Sequence, residues 1–231
     1  MSDPVENCGT RAWTPGRMAF QLDRPVEAYV LASSAGYGKA ADALARETTA
    51  LGEPAVMMLA KEQYPLLKFL TRGCRVALDL GTFTGLSALA MAEGMTEGRV
   101  ITVDRSDEWA SIAERHWRAA GVRDRIDARH AEADALLGEL AAIDTRVDFA
   151  FIDVDKAGIQ RYAAAVLALL GPNGMLAVDN TLWHGWVLDP ARNDADTEGV
   201  RRFNHWIAHD PAVEAVMLPI ADGMTLVRKR H

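Results

Sequence analysis

Arg146-Val-Asp-Phe-Ala-Phe-Ile-Asp-Val-Asp-Lys156 and Leu176-Ala-Val-Asp-Asn-Thr-Leu-Trp183 are the two ends of the stretch Arg146–Trp186, which decides how this chain folds. Each end is an apolar run of strand length that stops at carboxylates, and a helix-length segment joins them. Strand, helix, strand in that order predicts neighbouring strands of a parallel sheet. Asp153, Asp155, Lys156, Asp179 and Asn180 then gather at the carboxyl ends of adjacent strands. Open α/β sheets bind their ligands at that edge.

The same alternation extends upstream. Arg75–Gly81 reads as a first strand, and Gly81-Thr-Phe-Thr-Gly85 as a tight turn into a helix over Leu86–Glu93. A second strand over Gly98–Asp104 is followed by a helix over 107–119. A third over Arg125–His130 is followed by a short helix over Leu136–Leu140. The fourth strand is Val147–Asp153, with its helix over Ile159–Leu170, and the fifth is Met175–Asp179. Downstream, Thr197–His209 is helical, Val213–Ile220 is a strand, and Asp222-Gly223 is a hairpin-type turn into Met224–Arg228. Two consecutive strands without a crossover helix predict that the last runs antiparallel. The class expected is therefore α/β, Rossmann-like, mostly parallel, with helices on both faces.

Before the sheet, Pro25–Leu70 reads as a helical cap of three segments. Residues 1–24, broken by Pro4, Gly9, Pro15 and Gly16, read as a loose arm, either a plain leader or a flap over the active-site edge. With the sheet core over 75–230, no linker divides the chain, and a single domain is expected.

The chain has 231 residues, 49% of them hydrophobic, which is ample for one continuous core. A formal net charge of −7 argues against a broad basic face for nucleic acid. No apolar run is long enough to span a bilayer, and the polar N-terminus does not read as a signal peptide. Cys8 and Cys74 form no CxxC and no Cys/His cluster. A reduced, cytoplasmic setting is expected.

The glycine turn carries the first ligand argument. A dinucleotide turn reads GxGxxG, but here Phe83 replaces the second glycine, where a pyrophosphate needs bare backbone. Asp79 would repel a phosphate and pair with an ammonium group. Asp104, at the end of the second strand, suits both ribose hydroxyls. A ligand with a ribose, a cationic amino-acid tail and no phosphate satisfies all three, and S-adenosyl-L-methionine is such a ligand.

The second argument concerns a cation. Asp153, Asp179 and Asn180 offer only oxygen donors, which suits a hard divalent cation, Mg²⁺ above all. Carboxylates that close repel one another without a counter-ion. Lys156 reads as that counter-ion, as a catalytic base, or as both. Asp155 shares a face with Asp153 if the strand persists, and otherwise faces the cofactor. His184, His205 and His209 read as surface or helix-face histidines. Trp183 and Trp186 read as packing or as the wall of an aromatic pocket.

Taken together, LDLGTFTG, the Val-Asp ending the second strand, FIDVDK, VDNTLW, RRFN and DGMTLVRK resemble the cation-dependent class I O-methyltransferases. That group contains caffeoyl-CoA O-methyltransferase and its small bacterial relatives, with catechol O-methyltransferase more distant, and the match runs from Pro25 to Lys229. The resemblance implies seven strands, the last antiparallel, and metal ligation by Asp153, Asp179 and Asn180. It implies S-adenosylmethionine against Asp79, Gly81, Ser87, Asp104, Ala133 and Asp155, with Met57 a further contact. It implies Lys156 as general base, Asn204 near substrate, Trp183 against an aromatic ring, and a homodimer. Departures are Asp79 where many relatives have Glu, Val154 for Ala, Ile159 for Tyr, and His184 where Asn or Arg is frequent.

The activity so implied is metal-dependent methylation of a small aromatic carrying adjacent hydroxyls. A CoA thioester would want basic residues at the mouth, for which Arg24, Arg192, Arg201 and Arg202 are candidates. The acidic balance favours a free catechol or a polyphenol. The rivals are a metal-independent methyltransferase, a nicotinamide-dependent oxidoreductase and a non-catalytic binding module.

Overall fold

The computed structural model describes residues 24–230. The expected N-terminal arm lies outside the described residues except for Arg24, with which helix α1 (Arg24–Ser33) begins.

Seven strands form one sheet. They are β1 (Val76–Leu80), β2 (Arg99–Asp104), β3 (Ile126–His130), β4 (Val147–Ile152), β5 (Leu170–Asp179), β6 (Val213–Leu218) and β7 (Met224–Lys229). The order is β3-β2-β1-β4-β5-β7-β6. β1 to β5 pair in parallel, and β7 runs antiparallel between β5 and β6. The direction of chain growth reverses between β1 and β4, so the carboxyl ends of β1, β2, β4 and β5 surround the crevice where such sheets take ligands.

The central strands are apolar on both sides because helices cover both faces. Leu78, Leu80, Ala150, Ile152, Leu176 and Val178 pack under α6 (Ala133–Ala142), α7 (Ile159–Leu169) and α8 (Ala195–His209). Ala77, Val100, Phe149, Phe151 and Ala177 pack under α2 (Lys39–Thr49), α3 (Gln63–Leu70), α4 (Leu86–Gly94) and α5 (Ala110–Ala119). Leu44, Tyr64 and Leu67 of the helical cap belong to this second core. Side chains alternate along a strand, so Asp79 and Asp179 fall on the α3/α4 face. No helix among the described residues is long and apolar enough to cross a membrane.

Three elements differ from their sequence expectation. β5 starts at Leu170 rather than at 175, because Leu170 pairs with Val147 before the register jumps to Phe149 opposite Met175. Gly171-Pro-Asn-Gly174 is absorbed in that irregularity. Helix α6 is longer than expected, with Leu136, Leu137 and Leu140 all buried. The closing hairpin has no two-residue turn. Leu218 pairs with Met224, and proline at 219, which cannot donate to the ladder, ends β6. Asp222 and Gly223 instead dock on the segment after β5: Thr181 N donates to Gly223 O at 3.0 Å and Leu182 N to Asp222 O at 2.9 Å.

Candidate active site

A cavity of about 1140 Å³ opens over these strand ends. Its lining brings together Met57, Gly81, Ser87, Asp104, Ala133, Asp153, Asp155, Lys156, Asp179, Asn180 and Trp183. Asp79 and Asn204 do not line it.

On the β1 side, Gly81 sits at φ +107, and a Cβ there would lie 2.1 Å from the backbone oxygen of Asp153. Glycine is thus required first for the close approach of β1 to β4. Gly85 (φ +86) faces Trp117, whose ring would meet a Cβ at 2.6 Å and whose Nε1 donates to Gly85 O at 2.9 Å. Gly81→Ala combines a left-handed backbone with a clash against rigid backbone. It is expected to lower stability by roughly 2–3 kcal/mol, readable as a shifted urea midpoint. A midpoint equal to wild type would mean that β1 and β4 separate freely.

Asp79 is fully buried under α4. Its Oδ2 accepts from Ser87 Oγ (3.0 Å) and Thr102 Oγ1 (2.8 Å), while Oδ1 is buried without a partner. Asp79 therefore faces the cavity only through Ser87. Burial pushes its carboxyl up to about 7, against the pull of the Thr102 and Ser87 hydrogen bonds. A carboxyl raised in the folded state contributes stability that is fully present at low pH and lost as pH rises through about 7. Asp79→Asn is expected to remove roughly 1 kcal/mol of the stability lost between pH 6 and 8. Denaturation curves at the two pH values measure this, and an identical loss in the variant would contradict it.

Asp104 ends β2 with Oδ2 accepting from Phe83 N (2.8 Å) and Oδ1 from Ser106 N (3.0 Å). Each oxygen keeps a lone pair for a ligand. Phe83 sits at φ 46 with its ring against Trp109, centroids 5.7 Å apart. Asp155 accepts from Tyr162 Oη (2.9 Å) and Gly158 N (3.1 Å), which ties it to the start of α7.

On the β4–β5 side, Lys156 is 5% exposed, and its Nζ donates to Asp153 Oδ1 at 2.9 Å. α8 presses on this turn, since a Cβ on Gly199 would lie 2.2 Å from Lys156 O. Asp179 is 3% exposed, and its Oδ1 accepts from Gln63 Nε2 (2.7 Å) and Asn180 N (2.8 Å). Burial and the negative charge of Asp153 push Asp179 up to about 7, while Lys156 and the hydrogen bonds oppose this. Asn180 sits at φ 58. Among the described residues no three His, Cys, Asp or Glu cluster as a metal site. The donors here are two carboxylates and one carboxamide. That set fits a hard divalent cation, and such a charge would relieve the repulsion that raises Asp179.

Gln63 was not legible as a site residue. It is 1% exposed, and its Oε1 also accepts from Ala60 N at 3.0 Å, so α3 fixes both Asp179 and the segment before it. The available signal was an amide in the first turn of the last helical segment before the sheet.

The outer wall is a 3₁₀ turn, Trp183–Leu188, with Trp183 at φ 46 and His184 at φ 56. Arg201 holds it from α8. Its guanidinium donates to the carbonyls of Trp186 (2.9 Å), Val187 (2.9 Å), Arg192 (2.6 Å) and Asp189, and pairs with Glu198. Arg201 is thereby spent on the chain's own backbone. Arg192 stacks over Trp186 at 4.0 Å. Asn204 Nδ2 donates to Thr181 O at 2.8 Å and supports the wall from behind.

Residues 33–230 match the family model of the O-methyltransferases. Probable caffeoyl-CoA O-methyltransferase 1 of Dictyostelium discoideum is 38% identical over 180 residues, covering 75% of this chain and 78% of that protein. Catechol O-methyltransferase domain-containing protein 1 of Mus musculus is 40% identical over 177 residues, covering 74% and 68%. The O-methyltransferase from Bacillus cereus in complex with SAH superposes with a TM-score of 0.81 at 28% identity, over 89% of this chain and 97% of that one. TomG, the O-methyltransferase from Streptomyces achromogenes in complex with SAM, gives 0.80 at 26%, over 90% and 96%. The family model thus spans nearly the whole described chain, which belongs to the O-methyltransferase family.

Proposed function

We propose that this protein methylates a hydroxyl of an aromatic ring that carries two adjacent hydroxyls, using S-adenosylmethionine and a divalent cation. The observation that carries the proposal is the pair Asp153 and Asp179 on neighbouring strand ends beside the buried Lys156 amine. Bound S-adenosylmethionine supplies the methyl group, and a cation held by Asp153, Asp179 and Asn180 supplies Lewis acidity to a hydroxyl beside it.

The chain's own residues do the rest. Gln63 and the Asn180 N–H fix Asp179. Lys156, oriented by Asp153, takes the hydroxyl proton at Nζ. Asp104 accepts from ribose hydroxyls, while Met57, Gly81, Ser87, Ala133 and Asp155 shape the cofactor's side of the cavity. Trp183 bounds the ring and keeps water out. Most of the rate then comes from positioning and charge compensation.

Charge favours a free aromatic over a CoA thioester. The cavity is lined by nine acidic side chains, those of Glu53, Asp104, Glu108, Glu132, Asp153, Asp155, Asp179, Asp196 and Asp222, against the Arg105 guanidinium and the Lys156 amine. That field suits a sulfonium-bearing, cationic cofactor and disfavours a polyanionic tail. Catechol, caffeate and caffeoyl-CoA, offered in competition with Mg²⁺ present and analysed by mass spectrometry, test this. A monomethylated free diol as the main product is expected. Exclusive methylation of the thioester would overturn the substrate assignment.

A further inference from the structure

His184 has no part in the function proposed above, yet the fold spends strain on it. Trp183 and His184 are consecutive non-glycine residues in the left-handed region, a conformation that persists only where the surroundings over-determine it. They do so here. His184 N donates to Asp222 Oδ1 at 2.7 Å. The imidazole packs beside two indoles, 5.2 Å from the Trp183 ring and 4.8 Å from the Trp186 ring, which lie 6.1 Å from each other, so the three rings form one cluster.

Its Nδ1 lies 3.5 Å from Asp222 Oδ2. That oxygen is buried and has no hydrogen-bond partner, and Asp222 as a whole is 5% exposed. A carboxylate beside Nδ1 favours the tautomer that carries the proton there, which leaves Nε2 as an acceptor. His184 and Asp222 both line the cavity that holds Lys156. The imidazole is thus an acceptor held by Asp222 beside the rings of two tryptophans.

We propose that His184 is a specificity-determining residue whose Nε2 accepts a hydrogen bond from a donor group on the acceptor ring, outside the adjacent hydroxyl pair, with Asp222 as its positioning residue. A donor is required because Nε2 accepts. A carboxylate substituent would instead meet the acidic lining. The inference rests on the aromatic-diol reading.

Pyrogallol and 3-methoxycatechol form the matched pair for its test. Both carry an adjacent diol, and they differ in whether the third oxygen donates or only accepts. Wild type is expected to prefer pyrogallol in kcat/KM. His184→Ala lowers that preference about fivefold, the size of one neutral hydrogen bond, mainly through KM. His184→Gln, which keeps an acceptor, restores part of it. Calorimetric titration of S-adenosylhomocysteine reports whether each variant is intact, and an Asp222→Asn protein that folds shows a smaller loss of the same preference. An unchanged ratio in an intact His184→Ala protein that methylates both rings overturns the inference and leaves the diol reading standing. If wild type methylates neither ring, the diol reading fails, and this inference with it.

Discussion

Lys156→Met is expected to lower turnover of an aromatic diol by ~10²–10⁴-fold, the range lost when a positioned general base is removed, with little change in affinity for S-adenosylhomocysteine. Methionine keeps the apolar stem of a side chain that is 5% exposed and deletes the amine that donates to Asp153 Oδ1 at 2.9 Å. The close approach of α8 to the turn at Gly199 is to the backbone of Lys156 and Ala157, which the substitution leaves in place, so the local fold should survive. Single-turnover rates and calorimetry separate the two readouts. A rate within threefold of wild type would reduce Lys156 to a counter-charge for Asp153.

Asp179→Ala is expected to have an effect of similar size, by a different route. Lewis-acid stabilisation is worth several kcal/mol at the transition state, so losing it should cost on the order of 10³-fold in rate. Linkage supplies a readout that does not depend on activity. Burial and Asp153 raise the folded-state carboxyl of Asp179 to about 7, so its share of stability is full at low pH and lost as pH rises through that value. A divalent cation binds only the ionised form. Added Mg²⁺ should therefore raise the melting temperature more at pH 8 than at pH 6, and Asp179→Ala should abolish the difference. A Mg²⁺ shift that is independent of pH and persists in the variant would remove Asp179 from the cation site.

What was legible in the sequence is what depends on period and punctuation. Val147–Ile152 and Leu176–Asp179 are apolar on both sides and stop at acids, so their places and the edge they share followed directly. The antiparallel β7 followed from two strands with no helix between them. What stayed hidden depends on contacts between distant segments. Gln63 reaches Asp179 across 116 positions, and nothing local to α3 marks it. Gly81 looked like a ligand glycine, but the approach of Asp153 already requires it.

Arg201 looked available at a pocket mouth, but the loop after Asn180, with two strained residues, folds back to supply it with four carbonyls. Asp222-Gly223 looked like a hairpin turn by composition. With proline ending β6 early, its polar atoms were free to pin the Thr181–His184 segment. The resemblance named single residues where the residues alone named an edge, and Asn204 is placed one layer behind the wall. That side chain meets Thr181 O and not the cavity.

The most direct test of cation-assisted methyl transfer is the initial rate of catechol methylation by the purified protein with S-adenosylmethionine, first in excess chelator and then with Mg²⁺ restored. The rate is expected to fall to background in chelator and to return with Mg²⁺. Full activity in chelator would contradict the assignment of Asp153, Asp179 and Asn180 to a cation, and with it the central claim.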